Sequence, residues 1–141
     1  MHALSLLVAL SLSAAPDGNT AYEKLKTLEG SWKTASKDAP IFVSLRLVAG
    51  GTAVVETTTD ASSRSNMAAV TVYAVENGEL VATRHDATGA TRFKLKDGGD
   101  TQVRFVDGAK TLTVTMKGNT LKIDTGKQSL ELLREYVDTL K

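Results

Sequence analysis

The side chains best suited to chemistry lie between Tyr73 and His85, with three large apolar residues further along. His85 is the one histidine beyond position 2. Facing the interior of the fold, its ring could ligate haem iron or hydrogen-bond the polar head of a ligand. Facing out, it is a surface or rim histidine. Arg84 poses the same choice. Turned inward it could pair with an acidic ligand such as a fatty-acid carboxylate. A lone buried charge is costly, so an inward Arg84 needs a partner, and Glu56 is the candidate. Turned outward it is a solvated arginine.

The geometry of the segment is set by Asn77-Gly78, a tight-turn dipeptide. That turn pairs Glu76 with Glu79 and, counting back, Val70 with His85. His85 then shares a face with Val72 and Thr83, while Arg84 shares the other with Tyr73 and Ala82. Both faces are half apolar, and alternation leaves open which is interior. Phe93, Phe105 and Met116, with Leu45, Leu47 and Leu112, are expected to face inward as core or as cavity wall. Aromatic residues make up only 5% of the chain, so many inward positions are Val, Ala or Thr. Small inward residues leave volume, which favours a cavity. The candidate ligand-binding residues are therefore Tyr73, Arg84, His85, Phe93, Phe105 and Met116.

Catalytic templates are missing. No G-x-S-x-G elbow exposes a serine, and any Ser-His-Asp triad would depend on His85. Gly126-Lys127 is followed by Gln128, and Leu121 stands where a phosphate loop needs its first glycine, so it reads as a hairpin turn. Glu131 and Glu135 are given no role. A zinc site takes three or four ligands, and one histidine with no cysteine does not supply them. The absence of cysteine also removes disulfides, thiol nucleophiles and a lipid-bearing cysteine. No cofactor is implied.

Seventeen basic and sixteen acidic residues leave a net charge of +1, spread without a basic stripe. Nucleic acid is an unexpected partner for such a chain, and no polybasic segment holds it to an anionic membrane. At 141 residues and 42% hydrophobic, the chain is sized for one folded domain. Leu4 to Leu12 is an uncharged apolar run followed by Ser13, Ala14 and Ala15. It is shorter than the roughly 20 residues that span a bilayer. Residues 1–15 therefore read as a secretory signal, which implies a periplasmic or secreted protein with no stable membrane insertion after cleavage. Met1-His2-Ala3 lacks a basic residue and Pro16 is a poor residue after a cleavage point, so cleavage after Ser13 and a buried N-terminal helix are alternatives.

Residues 16–20 read as a linker and 21–141 as the domain. Thr20 is placed to cap a helix over 21–28 that Gly30 ends. From Gly78 onward a glycine recurs every eight to eleven positions, and the runs between alternate apolar with polar residues. Leu112, Val114 and Met116 alternate with threonines; Leu121 and Ile123 alternate with Thr120, Lys122 and Asp124. About ten strands are predicted: 31–36, 41–48, 52–59, 67–75, 79–86, 91–96, 101–106, 111–116, 119–124 and 127–136. Short turns in series make a meander, and a meander with one apolar face throughout avoids exposed edges by closing on itself. The expected fold is all-β: a closed antiparallel up-and-down barrel with a short N-terminal helix. The long polar loop, Asp60 to Asn66, is expected near an open mouth. Residues 129–141 also carry helical spacing, but a closing strand to about Tyr136 is favoured because the barrel needs a partner for its first strand.

Gly30-Ser31-Trp32 on the first strand and Arg134 on the last resemble the calycin arrangement of lipocalins and their relatives. That resemblance implies a tryptophan plugging one end of the barrel and an arginine packed across its ring. A closer likeness is to uncharacterised bacterial lipocalin-like domains that begin L-x-G-x-W, here Leu28-Glu29-Gly30-Ser31-Trp32. Ala49-Gly50-Gly51-Thr52-Ala53, Val55-Glu56-Thr57, Val70-Thr71-Val72-Tyr73 and Leu80-Val81-Ala82-Thr83 extend it over most of the chain. Such domains carry a His and a Tyr after the threonine matched by Thr83. Arg84 and His85 stand there instead, and the role of that histidine does not carry over. Nitrobindins and fatty-acid-binding proteins are more distant comparisons.

The favoured function is an exported lipocalin-like barrel binding a small apolar or amphipathic molecule. Its main rival is a ligandless envelope module acting through protein contacts, with an enzyme or a haem protein behind. A packed interior favours the module, and a cavity of ~300 Å³ or more favours the binding barrel.

Overall fold

The structure is a computed structural model that describes residues 17–60 and 67–136. One helix, α1 (Gly18–Lys26), precedes ten strands: β1 (Gly30–Thr34), β2 (Ile41–Val48), β3 (Ala53–Asp60), β4 (Met67–Glu76), β5 (Glu79–Asp86), β6 (Gly89–Gly98), β7 (Gln102–Asp107), β8 (Lys110–Lys117), β9 (Thr120–Asp124) and β10 (Ser129–Arg134). A one-turn 3-10 helix, Ala49–Gly51, joins β2 to β3. Each strand pairs antiparallel with its sequence neighbours, and β1 pairs with β10, so the sheet is a closed up-and-down barrel. The expected signal segment, most of the Asp60–Asn66 loop and the last five residues lie outside the described residues.

Alternation decides the faces. Val43 and Leu45 on β2, Leu112 and Val114 on β8, and Leu121 and Ile123 on β9 are buried, while their neighbours are partly or fully exposed. Hairpin loops set the register. Asn77 and Gly78 both take positive φ, 52° and 81°, as a two-residue turn between twisted strands requires. That turn pairs Val70 with His85 and Tyr73 with Ala82. Residues 129–134 are strand, because helix there would leave both β1 and β9 with unpaired edges. The strand stops at Arg134, two residues short of the expected end.

The helix departs from expectation at its start. It begins at Gly18, inside the segment read as a linker, and Asp17 caps it in place of Thr20. The Asp17 carboxylate accepts from the Asn19 N–H (3.0 Å) and from the Thr20 hydroxyl (2.6 Å), so Thr20 spends its hydroxyl on the cap residue. Docking favours the earlier start. A Cβ at Gly18 would lie 2.9 Å from the Leu80 nitrogen and 3.0 Å from the Gly78 carbonyl oxygen. Only glycine lets the helix rest this close on the β4–β5 turn. Tyr22 donates to the Gly51 carbonyl (2.7 Å). Ala21, Tyr22 and Leu25 join the core from the helix's inner face. The helix thus covers the barrel end that carries the β2–β3, β4–β5, β6–β7 and β8–β9 connections.

Arg134 completes that end. Its guanidinium lies 4.3 Å from the centre of the Trp32 ring. It donates to the carbonyls of Glu29 (3.0 Å) and Thr27 (3.2 Å), which follow the helix. Trp32 is fully buried and donates its indole N–H to the Leu28 carbonyl (2.9 Å). Gly30 has φ of +139°, and a Cβ there would stand 3.2 Å from the guanidinium, so both its backbone and its space call for glycine. The Arg134→Ala variant is expected to lose about 1–3 kcal/mol of stability through two charge-assisted hydrogen bonds and the ring contact. Urea unfolding checks this. A loss below about 0.5 kcal/mol, the size of an ordinary surface change, would contradict the clamp.

Candidate functional site

Interior polar residues gather on β3, β4 and β5. Glu56 pairs with Thr71, and Thr71 pairs with Arg84, so the three form one row across adjacent strands. One step toward the helix, Tyr73 pairs with Val54 and Ala82. All of these point inward. Glu56 is 1% exposed, Thr71 and Tyr73 are fully buried, and the Arg84 side chain is 12% exposed. The face carrying Tyr73, Ala82 and Arg84 is therefore the interior one.

The hydrogen bonds in the row are uneven. Tyr73 donates its hydroxyl to Glu56 Oε1 at 2.7 Å. Arg84 donates to the Thr71 hydroxyl at 3.2 Å. Its guanidinium stands 3.5 Å from Glu56 Oε2 and 3.8 Å from Asp86, which are ion contacts too long for good hydrogen bonds. Among the described residues, Glu56 Oε2 has no hydrogen-bond partner. A buried carboxylate oxygen left so is expensive.

Burial sets the proton affinities. Loss of solvent pushes the Glu56 carboxyl above its ordinary value, against the opposing pull of the Tyr73 hydroxyl, the Arg84 charge and the Thr71 hydroxyl. Burial, reinforced by the Glu56 charge, pushes the Tyr73 phenol well above its ordinary range, so it remains a donor. Asp86 at the rim is held below its ordinary value by hydrogen bonds from Thr88.

Beneath the row the interior is filled. The Tyr73 and Phe105 rings meet at 5.6 Å between centroids with a 46° tilt. Phe93, Phe105 and Leu112 are buried in the same cluster, with Leu47 and Met116 packed partly buried against it. Of the sequence candidates, Tyr73 and Arg84 come together at Glu56. Phe93, Phe105 and Met116 belong to the apolar core. His85 faces outward and is exposed. It lines a cleft of about 390 Å³ at the barrel rim with Ala68, Ala69, Val70, Asp86 and Ala87. Asp86 links that cleft to the interior row through its contact with Arg84. Other clefts lined by described residues lie on the outer wall, such as one bordered by Arg92, Lys94 and Lys110.

Glu56 and Thr71 were not among the sequence candidates for ligand contact, although Glu56 was named as the partner an inward Arg84 would need. The available signal was register. A known turn at Asn77-Gly78 fixes Thr71 opposite Arg84, but the β3–β4 register depends on a longer connection. Among the described residues no cluster of three or more His, Asp or Glu groups is placed to hold a metal ion. Comparison of the chain with protein-family models, with curated proteins and with solved structures finds no match.

The raised proton affinity of Glu56 has a measurable consequence. An acid whose folded pKa exceeds its unfolded one stabilises the fold most below the unfolded value. Its contribution then falls as pH rises from about 4.5 toward the folded value, and stays flat above it. The stability of the protein relative to its Glu56→Gln variant is expected to decline over that window. The rim carboxylate Asp86 is common to both proteins and cancels. A difference that stays constant from about pH 4 to 8 would mean that Glu56 is not desolvated.

Proposed function

We propose that this protein is an exported, lipocalin-like barrel that binds a small amphipathic molecule at its open end. The carrying observation is the inward row Glu56–Thr71–Arg84 with Tyr73, whose hydrogen-bonding capacity is left partly unspent. A barrel that needed only a stable core would do as well with apolar side chains there, because a buried ion pair rarely stabilises relative to packed hydrophobic residues. Charged groups retained at such a cost are more often functional. The rim cleft reaches Asp86, which contacts Arg84 at the edge of the row. The filled layer at Tyr73 and Phe105 limits the depth, so the ligand is small. Export rests on the apolar run Leu4–Leu12 and the small residues that follow it.

A second reading, a ligandless envelope module, draws on a different observation. The apolar interior is packed, and Phe42 and Leu133 stand 36% and 47% exposed on the outer wall on either side of β1. Native mass spectrometry of the protein taken from the cells that make it separates the two. The binding reading expects a mass lacking residues 1–15 or 1–13, plus a non-covalent adduct that is lost on denaturation. A full-length mass contradicts export. A bare protein at every gentle setting contradicts tight binding and favours the module.

A further inference from the structure

The polar row also carries information about the chemistry of its ligand, given the binding reading above. Its unspent capacity is an acceptor. Tyr73 satisfies Oε1 of Glu56, while Oε2 is buried and, among the described residues, has no hydrogen-bond partner. The nearest cation is Arg84, at 3.5 Å from that oxygen. That guanidinium also faces Asp86 on its other side and gives its hydrogen bond to Thr71. Asp86 draws on Arg84 from the rim and faces Lys127 as well, so the guanidinium is not free for a further acid. A ligand carboxylate brought to this row would meet a second, desolvated carboxylate and a guanidinium already shared between two acids. A donor meets the opposite situation.

We propose that the polar end of the ligand is a hydrogen-bond donor, a primary ammonium or a hydroxyl, and that Glu56 Oε2 receives it. An ammonium makes a charge-assisted hydrogen bond with the carboxylate. A hydroxyl makes the same bond without the charge. The short apolar remainder lies toward the rim among Thr58, Ala69 and the cleft beside Asp86, because the Tyr73–Phe105 layer closes the space below. Arg84 is a positioning residue in this arrangement: its charge works against the desolvation of Glu56, and it does not touch the ligand's head first.

The test uses the full chain and three probes that differ only in the head on a pentyl tail: pentylamine, pentan-1-ol and hexanoate. Binding is followed at neutral pH through the backbone amide signals of Thr71 and Arg84. Pentylamine is expected to bind at least about tenfold more tightly than hexanoate, the size of one charge-assisted hydrogen bond, with the alcohol between them. In the Glu56→Gln variant the advantage of the amine is expected to collapse to less than about threefold. The ranking on the unaltered protein decides the matter even if that variant fails to fold. Hexanoate binding most tightly would overturn the donor proposal and make Arg84 the receiver, with the binding barrel intact. An amine preference that survives in Glu56→Gln would overturn it too. Amide signals unmoved by all three probes up to about 10 mM would overturn both the proposal and the binding reading of this row.

Discussion

Everything in this molecule depends on the pairing of its first strand with its last. Trp32 lies opposite Arg134 in that ladder, and the arginine reaches back over the indole to the carbonyls that end the helix. One side chain thereby ties together segments more than a hundred residues apart in the chain. Closing the ladder removes two sheet edges, and it encloses an interior that each strand must fill from alternate residues. The order of loop closure is unfavourable for folding speed, since this contact has the largest sequence separation in the barrel. It is also the contact on which the helix, the plug and the rest of the register converge.

Enclosure explains why the row on β3–β5 matters. In an open sheet Glu56 and Arg84 would be half solvated and their long separation would cost little. Inside a closed barrel the same pair is desolvated from every side but the rim. The two ends of the barrel consequently differ in character. The helix end is sealed by Tyr22, Leu25, Leu28 and Trp32, and Tyr22 and Trp32 each donate to a backbone carbonyl there. The other end holds a carboxylate oxygen with no hydrogen-bond partner among the described residues and an arginine with loosely met donors. This polarity, with one end finished and the other left reactive toward a polar group, is the basis of the functional reading.

Much of the architecture was legible in the residues. Alternation along 111–116 and 119–124, with Asn77-Gly78 and its relatives between strands, determines both strand positions and an antiparallel meander. The register Val70–His85 followed from counting outward from one turn. What stayed ambiguous had physical causes. Val72, Thr83 and His85 are about as apolar as Tyr73, Ala82 and Arg84, so a hairpin alone has no preferred inner face. The choice is made by β3, where Val54, Glu56 and Thr58 turn inward and set Glu56 in a row with Thr71 and Arg84. The helix start was missed because Thr20 is as good a local cap as Asp17. The contact of Gly18 with the Leu80 and Gly78 backbone, which favours the earlier start, is tertiary. Residues 129–134 carry helical and strand patterns at once, and only the demand of β1 and β9 for a partner separates them.

A crystal structure of the protein isolated from the cells that produce it would test the central claim most directly, through the surroundings of Glu56. The account predicts an inward carboxylate bonded to Tyr73 through Oε1, with a non-protein donor within about 3 Å of Oε2. A bidentate Arg84–Glu56 pair that uses both carboxylate oxygens, or a Glu56 turned out of the barrel, would contradict it. The row would then be a finished structural ion pair.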